Sequence, residues 1–217
     1  VIDVLDHDPM AVGVLSGPNL AREVLAGQPS ATVIACPDDD RAERLRQVFT
    51  TESFRVFTSD DVVGCEIGGA AKNVVALAAG ICDGLGFGWN TKAALMTRGL
   101  TEIARLGIAL GANPMTFLGL AGNGDLTATC GSPQSRNHHV GEQLGKGRPL
   151  AAIIGEMNMV AEGVATTPAI VELARRHGVK MPITREVDAV LTGHLSAEDA
   201  VAQIMGLEPG IEFDHLA

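Results

Sequence analysis

The sequence has 217 residues, of which 46% are hydrophobic, 19% charged and 3% aromatic, with no Tyr and a formal net charge of −10. That acidic balance, with so few stacking rings, excludes nucleic acid as a partner, so any bound anion must be held by a local cluster. The length, with 26 Gly and 10 Pro, suits one or two globular domains with a sizeable core. Cys36, Cys65, Cys82 and Cys130 lie far apart without a C-x-x-C pair. Neither zinc nor a redox dithiol is indicated, and buried free thiols in a reducing cytoplasm are expected. No signal peptide or membrane span is expected, because the apolar run from Val74 to Ile81 is far short of the roughly 20 residues that a span needs. The sequence opens on Val1 as if already under way, which leads us to expect an upstream portion.

In chain order, the opening residues are weakly patterned until AVGVLSGPN, where Val12 and Val14 alternate into a Gly-Pro break: a strand, then a loop. LAREVLAG places Leu20, Val24 and Leu25 at helical spacing and stops at Gly27. SATVIAC reads as a second strand, DDDRAERLRQVF as a helix with acidic residues at its positive end, and FRVFTSD as a third strand. No G-x-G-x-x-G fingerprint follows any of these strands. Residues 1–58 therefore read as the C-terminal remnant of an incomplete α/β, Rossmann-type domain, and residues 59–217 as an all-helical domain.

The stretch CEIGGAAKNVVALAAGIC, Cys65 to Cys82, reads as one buried helix whose only charged side chains are Glu66 and Lys72. Its small residues point to close helix packing. An ammonium in such surroundings must find polar company or shed its proton, and either outcome suits a proton-transferring lysine. A lone lysine on an amphipathic helix ordinarily snorkels to water, so this helix alone does not decide the matter.

The glycines of DGLGFGWN make a turn, after which Asn90 is expected to cap a helix ended by Gly111 and Pro114. Within it Arg98 and Glu102 read as an ordinary surface ion pair. Asn123-Gly124 is a turn signal that sets Asp125 at the start of a short helix or loop. Ser132-Pro133 reads as an N-cap and first helical position, predicting a helix from about Pro133 to Leu144. Ser135, Arg136 and Asn137 then fall at its positive end, either as a phosphate cradle or as a capped helix with an exposed arginine. His138 and His139 point in different directions with no partner at i+4, so a solvated position is expected and no metal. Thr167-Pro168 is expected to open a helix closing on Gly178, and Met181-Pro182 one closing on Gly193. Ser196 to Asp199 resembles a capping box. Glu162 is expected between helices.

Taken together, SGPNLAREVLAG at 16–27, GGAAKNVVALAAGICDGLGFGWNTKAALMTRGL at 68–100 and GLAGNGDLTATCGSPQSRN at 119–137 resemble bacterial-type NAD(P)-dependent glycerol-3-phosphate dehydrogenases. The resemblance covers nearly the whole chain from Ser16 to about Leu207. It implies a mainly α chain, with a C-terminal helical domain of the 6-phosphogluconate-dehydrogenase-like type after the α/β segment. It implies interconversion of dihydroxyacetone phosphate and sn-glycerol 3-phosphate for glycerophospholipid synthesis, with NAD or NADP as cofactor and its main binding loop expected upstream of residue 1. Lys72 matches the family's general acid/base. Gly17, Asn19, Lys72, Asn73, Asp125, Ser135, Arg136 and Asn137 fall on substrate-binding positions. Ala21, Arg136, Val160 and Glu162 fall near the cofactor. Asn123 stands where many members carry an apolar residue, and Leu20 where many carry Phe. A cytoplasmic protein is implied, and a homodimer is compatible with it. Two alternatives stay open: a related small-hydroxyacid dehydrogenase, which has no need of the anion site, and a non-catalytic helical module for assembly or phosphometabolite binding.

Overall fold

The computed structural model describes residues 8–157 and 159–206, so the opening residues up to 7 lie outside the described part. The three expected strands are β1 (Val14–Ser16), β2 (Ser30–Ala35) and β3 (Phe54–Ser59). Helix α1 (Ala21–Leu25) joins the first two and α2 (Asp39–Phe49) the last two. Strand β2 pairs in parallel with β3, from Ser30 opposite Phe54 to Ala35 opposite Ser59, so β2–α2–β3 is a crossover unit of the α/β kind. Strand β1 instead runs antiparallel to β2, with Val14 opposite Ala35. Asp38 caps α2 through a bond from the Arg41 N–H at 2.8 Å.

The rest of the described chain is helical and is built around α3 (Val62–Gly84), longer at both ends than its apolar pattern predicts. Asp61 starts it. Its carboxylate accepts from the Gly64 N–H at 2.9 Å, and from the Asn113 N–H and the Thr116 hydroxyl of a distant loop. Mean hydropathy along α3 reaches 1.4, so by length and composition it could cross a membrane. Here the helix is surrounded instead, by α4 (Trp89–Ala109), α5 (Asp125–Gly131), α6 (Arg136–Gly145), α8 (Glu162–Arg176) and α9 (Pro182–Leu191). Val74, Ala76, Leu77 and Ala79 are wholly buried, which is why the run is apolar on every face.

The closest of these contacts is with α6, where Gly80 and Gly84 on α3 face Gly141 and Gly145 on α6. A β-carbon on Gly145 would sit 2.5 Å from the Ile81 carbonyl oxygen, and one on Gly141 would collide with the Leu77 carbonyl. Backbone therefore lies on backbone, and the four glycines set the height of α6 above α3.

Several local expectations are corrected. Gly88 rather than Asn90 is the N-cap of α4, and Asn90 sits inside the first turn. Helix α6 starts at Arg136, three residues later than the Ser-Pro signal suggests. Ser135 is its cap, accepting from the His138 N–H at 3.2 Å, while Ser132 closes a small turn onto Gln134. Helix α8 begins at Glu162, which is thus helical, and carries Pro168 in its interior; the Thr167 hydroxyl bonds to the Gly163 carbonyl at 2.6 Å beside it. His138 is not solvated. Its Nε2 lies 2.8 Å from Asp83, which also binds Lys92 at 2.7 Å, and the triad ties α3, α4 and α6 together at one end. Asp199 completes only half a capping box: its N–H bonds to Ser196 Oγ, and its carboxylate, one methylene shorter than Glu, takes the Ser196 hydroxyl instead of a backbone N–H. Helix α7 (Leu150–Glu156) has no counterpart among the predicted elements; behind Pro149 it buries Ile153. The last helix, α10 (Ala197–Met205), packs on α9.

The largest correction concerns Glu102, which is 4% exposed and lies in the core, not on the surface. Its carboxylate accepts from the Ile183 N–H at 2.7 Å, the Thr184 N–H at 3.2 Å and the Thr184 hydroxyl at 3.1 Å, capping α9 from across the core. Burial pushes this carboxyl up to about 7 from an ordinary 4.5, against the pull of those donors and of Arg105. Between these values the folded chain holds a proton that the unfolded chain has released, so stability is greatest below 4.5 and declines as pH rises through about 7. The expected loss is roughly 3 kcal/mol. Urea unfolding of wild type and Glu102→Gln at pH 5 and pH 8 checks it: the variant should lack most of the wild-type slope, and equal slopes contradict the assignment.

Candidate active site

The loop after β1 begins the site. Gly17 has φ +143, and a β-carbon there would lie 2.9 Å from Thr32 Oγ1, so the loop can lie against β2 only with glycine at this position. Thr32 is wholly buried; its hydroxyl donates to the Ser16 carbonyl at 2.8 Å and accepts from Asn19 Nδ2 at 3.4 Å. These bonds hold Ser16, Gly17 and Asn19 along one wall of a cavity of about 390 Å³.

The opposite wall is α3. Cys65, Glu66, Gly69 and Lys72 recur at three- and four-residue spacing and line one stripe of the helix facing the loop. The floor is Asp125, the first residue of α5, delivered by a single π-helical turn, Leu120–Gly124. Lys72 Nζ and Asp125 Oδ2 lie 2.5 Å apart, with their side chains 18% and 5% exposed. The lysine has found polar company instead of snorkelling. Burial pushes the Asp125 carboxyl above the usual range, while Lys72, the Thr129 hydroxyl and the Gly17 N–H draw it back. Thr129 also anchors the turn by donating to the Asp125 carbonyl at 2.7 Å.

The N-terminus of α6 lies beside this pair, because Asn137 Nδ2 donates to Asn73 Oδ1 at 2.9 Å, one residue from Lys72 on α3 and one from Arg136 on α6. Of the three residues at that end, Ser135 and Asn137 are turned into the fold. Arg136 is 39% exposed and reaches Glu162 at 3.5 Å. Ala21 opens α1, which Glu23 fastens to the residues before α6 through a 3.0 Å bond from Gln134. Val160 is exposed just before α8. The fold thus gathers Gly17, Asn19, Lys72 and Asp125 around one cavity, sets Asn73 and Asn137 behind it, and leaves Arg136, Glu162, Ala21 and Val160 facing outward.

Three contributors escaped the sequence reading. Glu66 was visible as the other charge on the lysine helix, and its position one turn before Gly69 carried the signal. Thr129 stands four residues after Asp125, a spacing that matters only once that segment is known to be helical. Ser16 has no signal beyond its place in the S-G-P run.

Residues 61–202 match the family profile described as NAD-dependent glycerol-3-phosphate dehydrogenase C-terminus, and residues 1–42 the corresponding N-terminus. Among curated relatives, a protein of Sphingopyxis alaskensis named glycerol-3-phosphate dehydrogenase (NAD(P)+) 2 is 54% identical over 97% of this chain and 62% of its own length. A glycerol-3-phosphate dehydrogenase (NAD(P)+) of Prosthecochloris aestuarii is 54% identical over 93% and 61%. The crystal structure of glycerol-3-phosphate dehydrogenase from Coxiella burnetii superposes with a TM-score of 0.88 at 39% identity, covering 90% of this chain and 60% of that one. The chain therefore spans about three fifths of the length of the relatives it matches. With one profile covering well over half of its residues, the chain belongs to the NAD-dependent glycerol-3-phosphate dehydrogenase family.

Proposed function

We propose that this chain carries the proton-transfer and phosphate-holding groups of a cytoplasmic NAD(P)-dependent glycerol-3-phosphate dehydrogenase whose product feeds glycerophospholipid synthesis. In this reading residues 1–58 belong to the dinucleotide-binding domain and 59–217 to the substrate domain. The observation that carries it is the Lys72–Asp125 pair at 2.5 Å inside a cavity of about 390 Å³, roomy enough for a small phosphorylated triol.

In the reducing direction the Lys72 ammonium donates a proton to the ketone oxygen at C2 of dihydroxyacetone phosphate; in the oxidising direction its amine takes the proton of the C2 hydroxyl of glycerol 3-phosphate. Asp125, 2.5 Å away, orients Lys72. The bound nicotinamide supplies or accepts the hydride at C2. Ala21, Arg136, Val160 and Glu162 fit a dinucleotide: they are outward-facing and come from neighbouring elements. A guanidinium held as loosely as Arg136, 3.5 Å from Glu162, is free to turn to a phosphate. The same guanidinium, at the positive end of α6, is the anion holder for the substrate.

Calorimetric titration of the chain with glycerol 3-phosphate tests the reading. Arg136→Ala should weaken binding by about 10- to 100-fold, the value of one charge-assisted contact. An unchanged Kd removes the anion site and favours a small-hydroxyacid dehydrogenase instead.

A further inference from the structure

Glu66 lines the cavity but has no task in the proton transfer. It is exposed, and among the described residues no hydrogen bond or ion pair holds its carboxylate. The charged side chains of the cavity wall are one cation, Lys72, and two anions, Asp125 and Glu66. Lys72 and Asp125 offset each other at 2.5 Å. Glu66 therefore leaves the cavity with an unbalanced negative charge, which opposes a phosphorylated substrate unless the phosphate binds at the other end.

The placement of Glu66 on α3 meets that condition. Helix α6 lies along α3 from Asn73 onward: Asn137 bonds to Asn73, and Gly141 and Gly145 come down on the carbonyls of Leu77 and Ile81. Arg136, at the start of α6, is thus level with the Lys72 end of the cavity. Glu66 lies six residues before Lys72, about 9 Å along the axis and away from α6. Between the two, Gly69 puts no side chain into the space; a β-carbon there would lie 3.1 Å from Ser16 Oγ on the facing loop. The order along α3 is guanidinium, ammonium, carboxylate. A phosphate held at Arg136 and a C2 oxygen at Lys72 direct the remaining carbon, C1, toward Glu66.

We propose that Glu66 is a specificity-determining residue, which accepts a hydrogen bond from the C1 hydroxyl of dihydroxyacetone phosphate and repels a phosphorylated keto acid that carries a carboxylate at that carbon. This rests on the substrate reading given above and deepens it. A carboxylate only accepts, so it favours a hydroxyl, gains nothing from a methyl group and opposes a second carboxylate. The repulsion is stronger in a partly dry cavity than in water. A glutamine could not make the distinction, because its uncharged amide both donates and accepts and so tolerates either group.

Calorimetric titration of the chain with three ketones tests the assignment. They share the phosphate and differ only at C1: dihydroxyacetone phosphate has a hydroxymethyl group there, hydroxyacetone phosphate a methyl group and 3-phosphohydroxypyruvate a carboxylate. Wild type should bind dihydroxyacetone phosphate about 10- to 100-fold more tightly than the methyl ketone, the value of one hydrogen bond to a charged group. Against the keto acid the preference should be at least about 100-fold. Glu66→Gln should bring the keto acid within about tenfold of dihydroxyacetone phosphate, and Glu66→Ala should bind the hydroxymethyl and methyl ketones alike. Circular dichroism should show the wild-type fold in both variants, since Glu66 is exposed; should Glu66→Ala misfold, the isosteric Glu66→Gln decides alone. Selectivity unchanged in Glu66→Gln, or a wild type that binds the keto acid at least as tightly as dihydroxyacetone phosphate, overturns the role of Glu66 and leaves the phosphate site standing. A wild type that binds none of the three overturns the substrate reading itself, and the role of Glu66 with it.

Discussion

Gly141→Ala is expected to abolish the native fold or cost at least about 4 kcal/mol of stability. Taken alone, alanine improves a helix over glycine by about 1 kcal/mol, so local propensity argues in the opposite direction. The clash wins because of what the new methyl group meets: the Leu77 carbonyl oxygen, with the Leu77 carbonyl carbon at 2.8 Å and the Ile81 nitrogen at 3.0 Å, all of them backbone of a helix that is itself the core. No side chain can rotate away. Helix α6 would have to lift off α3, and with it Ser135, Arg136 and Asn137, so the Asn137–Asn73 bond would break with the packing. Gly80→Ala, facing the His138 carbonyl and the Glu142 nitrogen, should behave alike. Gly155, in the exposed helix α7, has nothing within 4 Å of its β-carbon position, and Gly155→Ala should be neutral or stabilising by up to about 1 kcal/mol. Urea unfolding of the three variants makes the comparison. Gly141→Ala within 1 kcal/mol of wild type would show that the two helices are not locked at backbone contact.

This contrast also shows what the sequence could and could not disclose. The composition of Cys65 to Cys82 announces close packing, because only small residues allow helices to approach so far. It does not say that α6 is the partner, since Gly141 and Gly145 lie some sixty residues on. The strands, and the helices of the second half other than α7, were legible from punctuation by Gly, Pro and capping residues, wherever those residues act on their own neighbours. Errors arose where a side chain reaches across the fold. Glu102 looked like half of an i, i+4 pair with Arg98 and is in fact the cap of a helix 81 residues away. His138 looked solvated and instead binds Asp83, 55 residues away. Pro168 imitated a helix start because proline is as suited to a first turn as it is costly in an interior; α8, which runs through it, packs against α3, α6 and α9. The site follows the same rule. Lys72 stood out as a charge among small apolar residues, whereas its partner Asp125 lies 53 positions away, and only the resemblance to a known family linked the two.

Lys72→Ala should lower kcat for dihydroxyacetone phosphate reduction by about 10²- to 10⁴-fold, the usual contribution of a positioned general acid. The measurement is made with this chain joined to a complete dinucleotide-binding domain. Stability and chemistry respond to this change differently, and the difference identifies the role. Removing the ammonium leaves Asp125 in a site where burial already raises its affinity for a proton; the carboxyl then takes one up instead of remaining as an unpaired buried charge. The stability cost should therefore fall below the 3–5 kcal/mol of a broken buried pair, to about 1–3 kcal/mol. Replacing both members, as Lys72→Met with Asp125→Leu, should recover much of that stability, because it removes the need to desolvate any charge. It should recover none of the activity. A lysine that served only to neutralise Asp125 would give the reverse outcome, with the apolar pair both stable and active. Small primary amines added to Lys72→Ala should restore part of the rate, in proportion to their concentration, by occupying the vacated space and donating the proton that Lys72 no longer supplies. A kcat within tenfold of wild type, or a stable double variant that still turns over, removes Lys72 from the chemistry and leaves the pair as a device of folding alone.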